Sequence, residues 1–159
     1  MFEVGDKVVY PMHGAGVIEA IEEREVFGQT KRYFIMRLPV TEMQVMVPCD
    51  NLEQTGLRKV ISEPMLLKVM EVLQAHRCAM EKNWNLRYRA NMEKIRSGNI
   101  LELAEVVRNL SHWHRERGLS GGERKMLENA RQILLSEIIL ARDLDLKAAN
   151  HLLDEVLAN

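Results

Sequence analysis

Gly56-Leu57-Arg58-Lys59-Val60-Ile61-Ser62-Glu63-Pro64 marks the place where the periodicity of the chain changes. Upstream of it, apolar and polar residues alternate in short runs. Downstream, apolar residues recur every three or four positions, as they do along one face of a helix. Pro64 suits the first turn of a helix opening after Ser62, because its missing N–H would have no intrahelical partner there. Leu66, Leu67, Val69, Met70 and Leu73 then form an apolar stripe. A chain that switches period once is expected to have two domains, here residues 1–57 and 62–159, with the boundary near Arg58-Lys59-Val60-Ile61.

The upstream half reads as short strands. Asp6–Tyr10 is stopped by Pro11, and His13-Gly14-Ala15-Gly16 has the composition of a turn. Val17–Glu22 and Tyr33–Leu38 follow, separated by a turn around Phe27-Gly28-Gln29, and Met43–Val47 alternates until Pro48. Four or five such strands with Gly and Pro between them suggest a small curled antiparallel barrel. Its core must be thin at this length.

The downstream half reads as a compact all-α bundle of five helices. The first opens after Ser62. The second runs from about Trp84 to Ser97 and ends at Gly98; the third spans about Ile100 to Arg117 and stops at Gly118. The fourth starts at Ser120 and continues through Ile139, and a last one covers about Leu146 to Leu157. Short Gly-bearing connections between amphipathic helices favour close packing of neighbours. The expected fold class is therefore α+β, a small β-barrel followed by a helical bundle.

Composition narrows the functional classes. With 47% hydrophobic and 28% charged residues, the chain has enough apolar material for a core. It contains no apolar run near the roughly 20 residues of a membrane span and no signal-peptide layout at Met1–Asp6, so a cytoplasmic location is expected. Cys49 and Cys78 share no CxxC spacing, and His112 and His114 point in nearly opposite directions on a helix, so no metal site and no cofactor are expected. Residues 77–142 carry 13 Lys and Arg against 8 Asp and Glu, a basic middle within a chain of net charge −1. That excess hints at a polyanion contact, although a solvated helical surface would look the same.

Leu119-Ser120-Gly121-Gly122-Glu123 resembles the signature loop of ABC-type ATPases, but the P-loop that such ATPases also need is missing. Ser120 with Glu123 three residues on reads instead as a capping box at a helix start. No nucleophile–base constellation stands out, so an enzyme is not expected.

Asn83-Trp84-Asn85-Leu86-Arg87-Tyr88-Arg89-Ala90-Asn91 mixes aromatic and basic side chains near a helix N-terminus. Trp84, Tyr88, Met92 and Ile95 fall within about 80° of one another on a helical wheel. Two readings stand. Either this is a core stripe flanked by solvated charges, or Trp84 precedes the first turn and offers an indole to an unpaired base while arginines hold phosphates. A second question concerns Arg24 and the Tyr33–Leu38 strand, read either as an ordinary polar edge or as an edge that a partner strand covers.

Taken together, these segments resemble the CarD/CdnL family of bacterial transcription regulators. The resemblance rests on Val4–Pro11 and His13–Gly16, then on Asn83-Trp84, Arg87-Tyr88, Ala90-Asn91, Ala104–Arg108, Glu116–Ser120, Arg131–Leu134 and Leu153–Leu157. It thus runs along essentially the whole chain, in order. The opening motif is shared with the polymerase-binding module of the transcription-repair coupling factor, and the helical half makes the assignment specific. The resemblance implies a Tudor-like module that docks on the RNA polymerase β subunit through an edge strand. It also implies a helical domain beside promoter DNA at the upstream edge of the melted region.

At the position of Trp84 the family carries a tryptophan that wedges into the minor groove. Arg87 and Arg89 match basic positions of the motif, and Arg124 is a further DNA-contact candidate. Arg24 matches a docking arginine, whereas Met46 stands where some members place a second one. Leu86 replaces a basic residue of some members and is assigned no DNA role. The expected function is stabilisation of the promoter open complex. The rivals are a polymerase adaptor without DNA contact and an autonomous DNA-binding protein.

Overall fold

The computed structural model describes residues 1–158. Five strands, β1 (Lys7–Tyr10), β2 (Gly14–Val26), β3 (Gln29–Arg37), β4 (Gln44–Pro48) and β5 (Arg58–Lys59), form one antiparallel sheet in the order β4-β3-β2-β1-β5. A single helical turn, α1 (Leu52–Thr55), sits between β4 and β5. Five longer helices follow: α2 (Glu63–Gln74), α3 (Trp84–Arg96), α4 (Ile100–Arg117), α5 (Gly121–Arg142) and α6 (Leu146–Leu157).

The helix starts follow local chemistry. Ser62, Asn83, Asn99, Ser120 and Asp145 each accept a hydrogen bond from a backbone N–H of the turn they open. Such caps satisfy amides that have no intrahelical partner. Leu66, Val69 and Leu73 of α2, Leu103, Val107 and Leu110 of α4, Leu134 and Ile138 of α5 and Leu153 of α6 share one buried cluster.

The sheet has a much smaller core of its own: Val8, Ile18, Phe34, Met36, Leu38, Val47 and Leu57. Phe2, Tyr10, Ile21, Val45, Cys49 and Leu52 pack against this cluster, and α5 packs across β2. At this seam the Ala15 N–H donates to Ser136 Oγ at 2.8 Å, and Lys7 Nζ donates to the Leu140 carbonyl at 3.1 Å. Gly14, at φ +118°, lies so close that a Cβ there would meet Ser136 Oγ at 2.9 Å. Gly16 is constrained from the other side, since its Cβ would lie 2.5 Å from the Arg37 carbonyl oxygen.

Three sequence expectations change. Arg58-Lys59 belongs to the sheet rather than to a boundary segment: β5 pairs with Val8 and Val9 of β1. The Tyr33–Leu38 segment is not an edge, because Tyr33–Arg37 pairs with β2 on one side and with β4 on the other. Finally, β2 runs beyond Glu22 to Val26, with Glu23 opposite Arg32 and Arg24 opposite Lys31. Its outer half is polar on both faces, so no alternation announced it. Only Gly14–Val17 of β2 pairs with β1, which leaves the outer flank of its distal half unpaired within the sheet.

Candidate nucleic-acid interface

The Asn83 side chain accepts from the backbone N–H groups of Asn85 and Leu86 and so fixes the start of α3. Trp84 becomes the first residue of that helix. Its ring stacks on Tyr88, one turn further along, with centroids 5.0 Å apart and planes 23° from parallel. Its Nε1–H donates to Ser120 Oγ at 2.9 Å. Gly122 lies beside both rings, and a Cβ there would make ordinary contact with Trp84 Cζ2 at 3.5 Å and Tyr88 Cε2 at 3.9 Å. The indole is neither core nor a free projection: Trp84 is 42% exposed and tied at one edge.

The inward face of α3 is rotated from the expected one. Its buried residues are Arg87, Asn91 and Ile95, spaced four apart, while Trp84, Tyr88 and Met92 lie at the margin. Arg87, expected as a DNA contact, lies on this inward face. Arg87 is 7% exposed; its Nε and Nη2 donate to the two carboxylate oxygens of Glu123 at 2.7 and 3.0 Å. Its Nη1 donates to the Glu81 and Lys82 carbonyls, and its guanidinium carbon lies 4.6 Å from the Trp113 ring centroid. Four of its five N–H donors are thus spent inside the protein. The Arg87 guanidinium is also what holds the Glu123 carboxyl below the ordinary carboxylate range, against the opposing effect of burial.

Glu123 itself departs from the capping box. Ser120 Oγ does accept from the Glu123 N–H at 3.3 Å. The Glu123 carboxylate, however, goes to Arg87 and to the Ser120 hydroxyl rather than back to the Ser120 backbone. Two residues missed in the sequence therefore shape the site, Tyr88 beneath the indole and Ser120 at its N–H. The pairing of a surface Trp with a Tyr four residues later was the available signal for the first. Nothing local signalled the second, 36 residues away.

Arg89 and Arg124 are exposed, and among the described residues neither forms an ion pair. Arg96, two turns beyond Arg89, has the same character and closes a shallow groove shared with Trp84, Tyr88, Arg89 and Met92. Arg24 and Met46 lie elsewhere, on the sheet. Arg24 opposes Lys31 and Met46 opposes Ile35, so both sit on one face, about 13 Å apart along β3. Arg24 is half exposed and pairs with Glu22 at 2.6 Å; Met46, on the edge strand β4, is 42% exposed.

A family model for the C-terminal domain of CarD matches residues 68–154, and one for the CarD-like/TRCF RID domain matches residues 2–61. The chain belongs to the CarD/CdnL family of transcription regulators. The Bacillus subtilis (strain 168) protein YdeB, a candidate transcription factor by its name, is 41% identical over 138 residues, covering 87% of this chain and 90% of its own. The solution NMR structure of the 72-residue N-terminal domain of Myxococcus xanthus CarD is 39% identical over 37% of this chain and 79% of its own, with a TM-score of 0.33. That last likeness is one of sequence. The CarD/CdnL family is not an enzyme family. Among the described residues, no helix is long and apolar enough to cross a membrane.

Proposed function

We propose that this CarD/CdnL member binds the RNA polymerase β subunit through its sheet and stabilises the promoter open complex by placing Trp84 at the upstream edge of the DNA bubble. The observation that carries this reading is the indole itself: an aromatic ring 42% exposed, tied at its N–H, stacked on Tyr88, and sharing a groove with Arg89 and Arg96, neither of which forms an ion pair among the described residues. The sheet, with Arg24 and Met46 on one face and two open edges, is read as the Tudor-like docking module.

The mechanism is physical. A bubble closes when its fork base pairs restack, and a ring occupying the fork raises the cost of closure. Base–aromatic stacking is worth roughly 1–3 kcal/mol per base, and about 1.4 kcal/mol is tenfold in an equilibrium constant. One tryptophan thus accounts for a lifetime change of about one to two orders of magnitude. Few phosphates are neutralised, so affinity for free DNA is weak, and attachment to polymerase supplies the effective concentration.

The test is an open-complex lifetime measured with polymerase for the wild type, Trp84→Ala and Arg24→Glu. Both variants are expected to shorten it. A full effect of Arg24→Glu with none from Trp84→Ala would instead mark a polymerase adaptor that leaves DNA untouched.

A further inference from the structure

We propose that Ser120 and Glu123 are positioning residues for Trp84, an assignment that rests on the wedge reading above. Ser120 Oγ lies 2.9 Å from the Trp84 Nε1–H, 3.3 Å from the Glu123 backbone N–H and 3.3 Å from Glu123 Oε1. The first two are obligatory donors, so they occupy both lone pairs of the hydroxyl. Its own proton then has one acceptor left, the Glu123 carboxylate. That carboxylate is in turn fixed by Arg87, whose guanidinium also packs on Trp113. The chain Trp84–Ser120–Glu123–Arg87–Trp113 ties α3, α5 and α4 together under one exposed ring.

Two consequences follow for the indole. Its N–H is turned inward and spent on Ser120, and one of its faces is covered by Tyr88. What remains for DNA is the ring face turned away from Tyr88, which reads no base by hydrogen bonding. The side chain meets the fork already ordered, so little rotamer freedom is lost at that moment. Removing the hydroxyl leaves the ring stacked but free to swing, and it releases an N–H donor toward solvent.

The experiment separates this from a helix-capping role. Glycine at an N-cap costs a helix little relative to serine, so Ser120→Gly removes the hydroxyl while largely sparing the cap; Ser120→Thr restores a hydroxyl. In the ¹⁵N-labelled full-length protein, the two indole N–H signals are assigned with Trp84→Phe, and their hydrogen exchange is followed. Exchange at Trp84, but not at Trp113, is expected to speed up roughly twofold to tenfold in Ser120→Gly and to return toward wild type in Ser120→Thr. Open-complex lifetime with polymerase is expected to fall by a similar factor in Ser120→Gly and to recover in Ser120→Thr.

Unchanged indole exchange in Ser120→Gly overturns the proposal in the free protein, whatever the DNA mechanism. Faster exchange with an unchanged lifetime overturns it too, while a short lifetime in Trp84→Ala would still uphold the wedge. If Trp84→Ala itself leaves the lifetime unchanged, the wedge reading fails, and the positioning role fails with it.

Discussion

Arg58 holds Glu137 with two nitrogens of one guanidinium, at 2.7 and 2.8 Å, across the seam between β5 and α5. Glu137 is 1% exposed, and the same carboxylate also accepts the Ile61 N–H at 3.0 Å. Removing Arg58 strands a buried charge, which costs about 3–5 kcal/mol where one partner of such a pair is lost. Arg58→Ala is expected to approach that loss in urea unfolding, whereas Arg58→Met with Glu137→Leu should recover much of it.

Arg87 and Arg89 lie two residues apart and should respond in opposite ways. Arg87→Ala leaves Glu123 buried without its partner and is expected to destabilise the fold by about 3–5 kcal/mol. Arg89→Ala, on an exposed face, should fall within about 0.5 kcal/mol of wild type. Thermal unfolding of the two variants checks the contrast. Equal and small effects would return Arg87 to the surface.

Stability should decline in acid in two stages. His112 is held below its ordinary value of 6.5, first by burial and then by Arg115 and Arg108, and its buried Nε2 has no partner among the described residues. The unfolded chain therefore takes up that proton first, and stability is lost as pH falls from 6.5 toward the lowered folded value. Glu123 acts lower down: its contribution is complete above the unfolded value, near 4.5, and is lost as pH falls through its depressed folded value. Melting temperature against pH should flatten between neutrality and pH 5 in His112→Phe, as ~6.5 marks the ordinary histidine titration. The lower step should be absent in Glu123→Gln.

Gly16→Ala tests the close approach of β2 to β3. A Cβ 2.5 Å from the Arg37 carbonyl oxygen cannot be accommodated by a side-chain shift, because the obstacle is backbone. A cost of about 1–3 kcal/mol or more is expected, read from urea unfolding. An unchanged midpoint would show that the two strands separate easily there.

On the proposed reading, Arg89 and Arg124 contact phosphates. Each neutralised phosphate releases counterion, so Arg89→Ala and Arg124→Ala should each lower the salt slope of the polymerase–promoter complex by about one. Equal slopes for wild type and both variants would remove these residues from the interface.

What could be read from the sequence was local. Pro64 behind Ser62, Gly98 and Gly118 at helix ends, and the stripe of α2 all act within a turn or two, and the helices lie where those signals placed them. What escaped depended on distant partners. Arg58-Lys59 has no strand pattern of its own and becomes β5 only against Val8 and Val9. Arg87 reads as a solvated charge in the sequence because its partner, Glu123, lies 36 residues on and reads as part of a helix cap. The spacing Arg87, Asn91, Ile95 did mark the inward face, but a charged residue heading that series hid it. Arg24 and Met46 stand out in the sequence through the family resemblance alone. Their common face follows from strand register, which no single segment encodes.

The seam at Glu137 also determines how force travels. Lys59 ends the sheet, Ser62 caps α2, and both Arg58 and Ile61 are tied to the same carboxylate, so the chain has no slack between its halves. The sheet and the helices are therefore expected to move as one piece, as along a lever. Slipping a Gly-Ser segment in after Lys59 would turn that lever into a leash, and whatever the helices grip would then be met by diffusion instead of by aim.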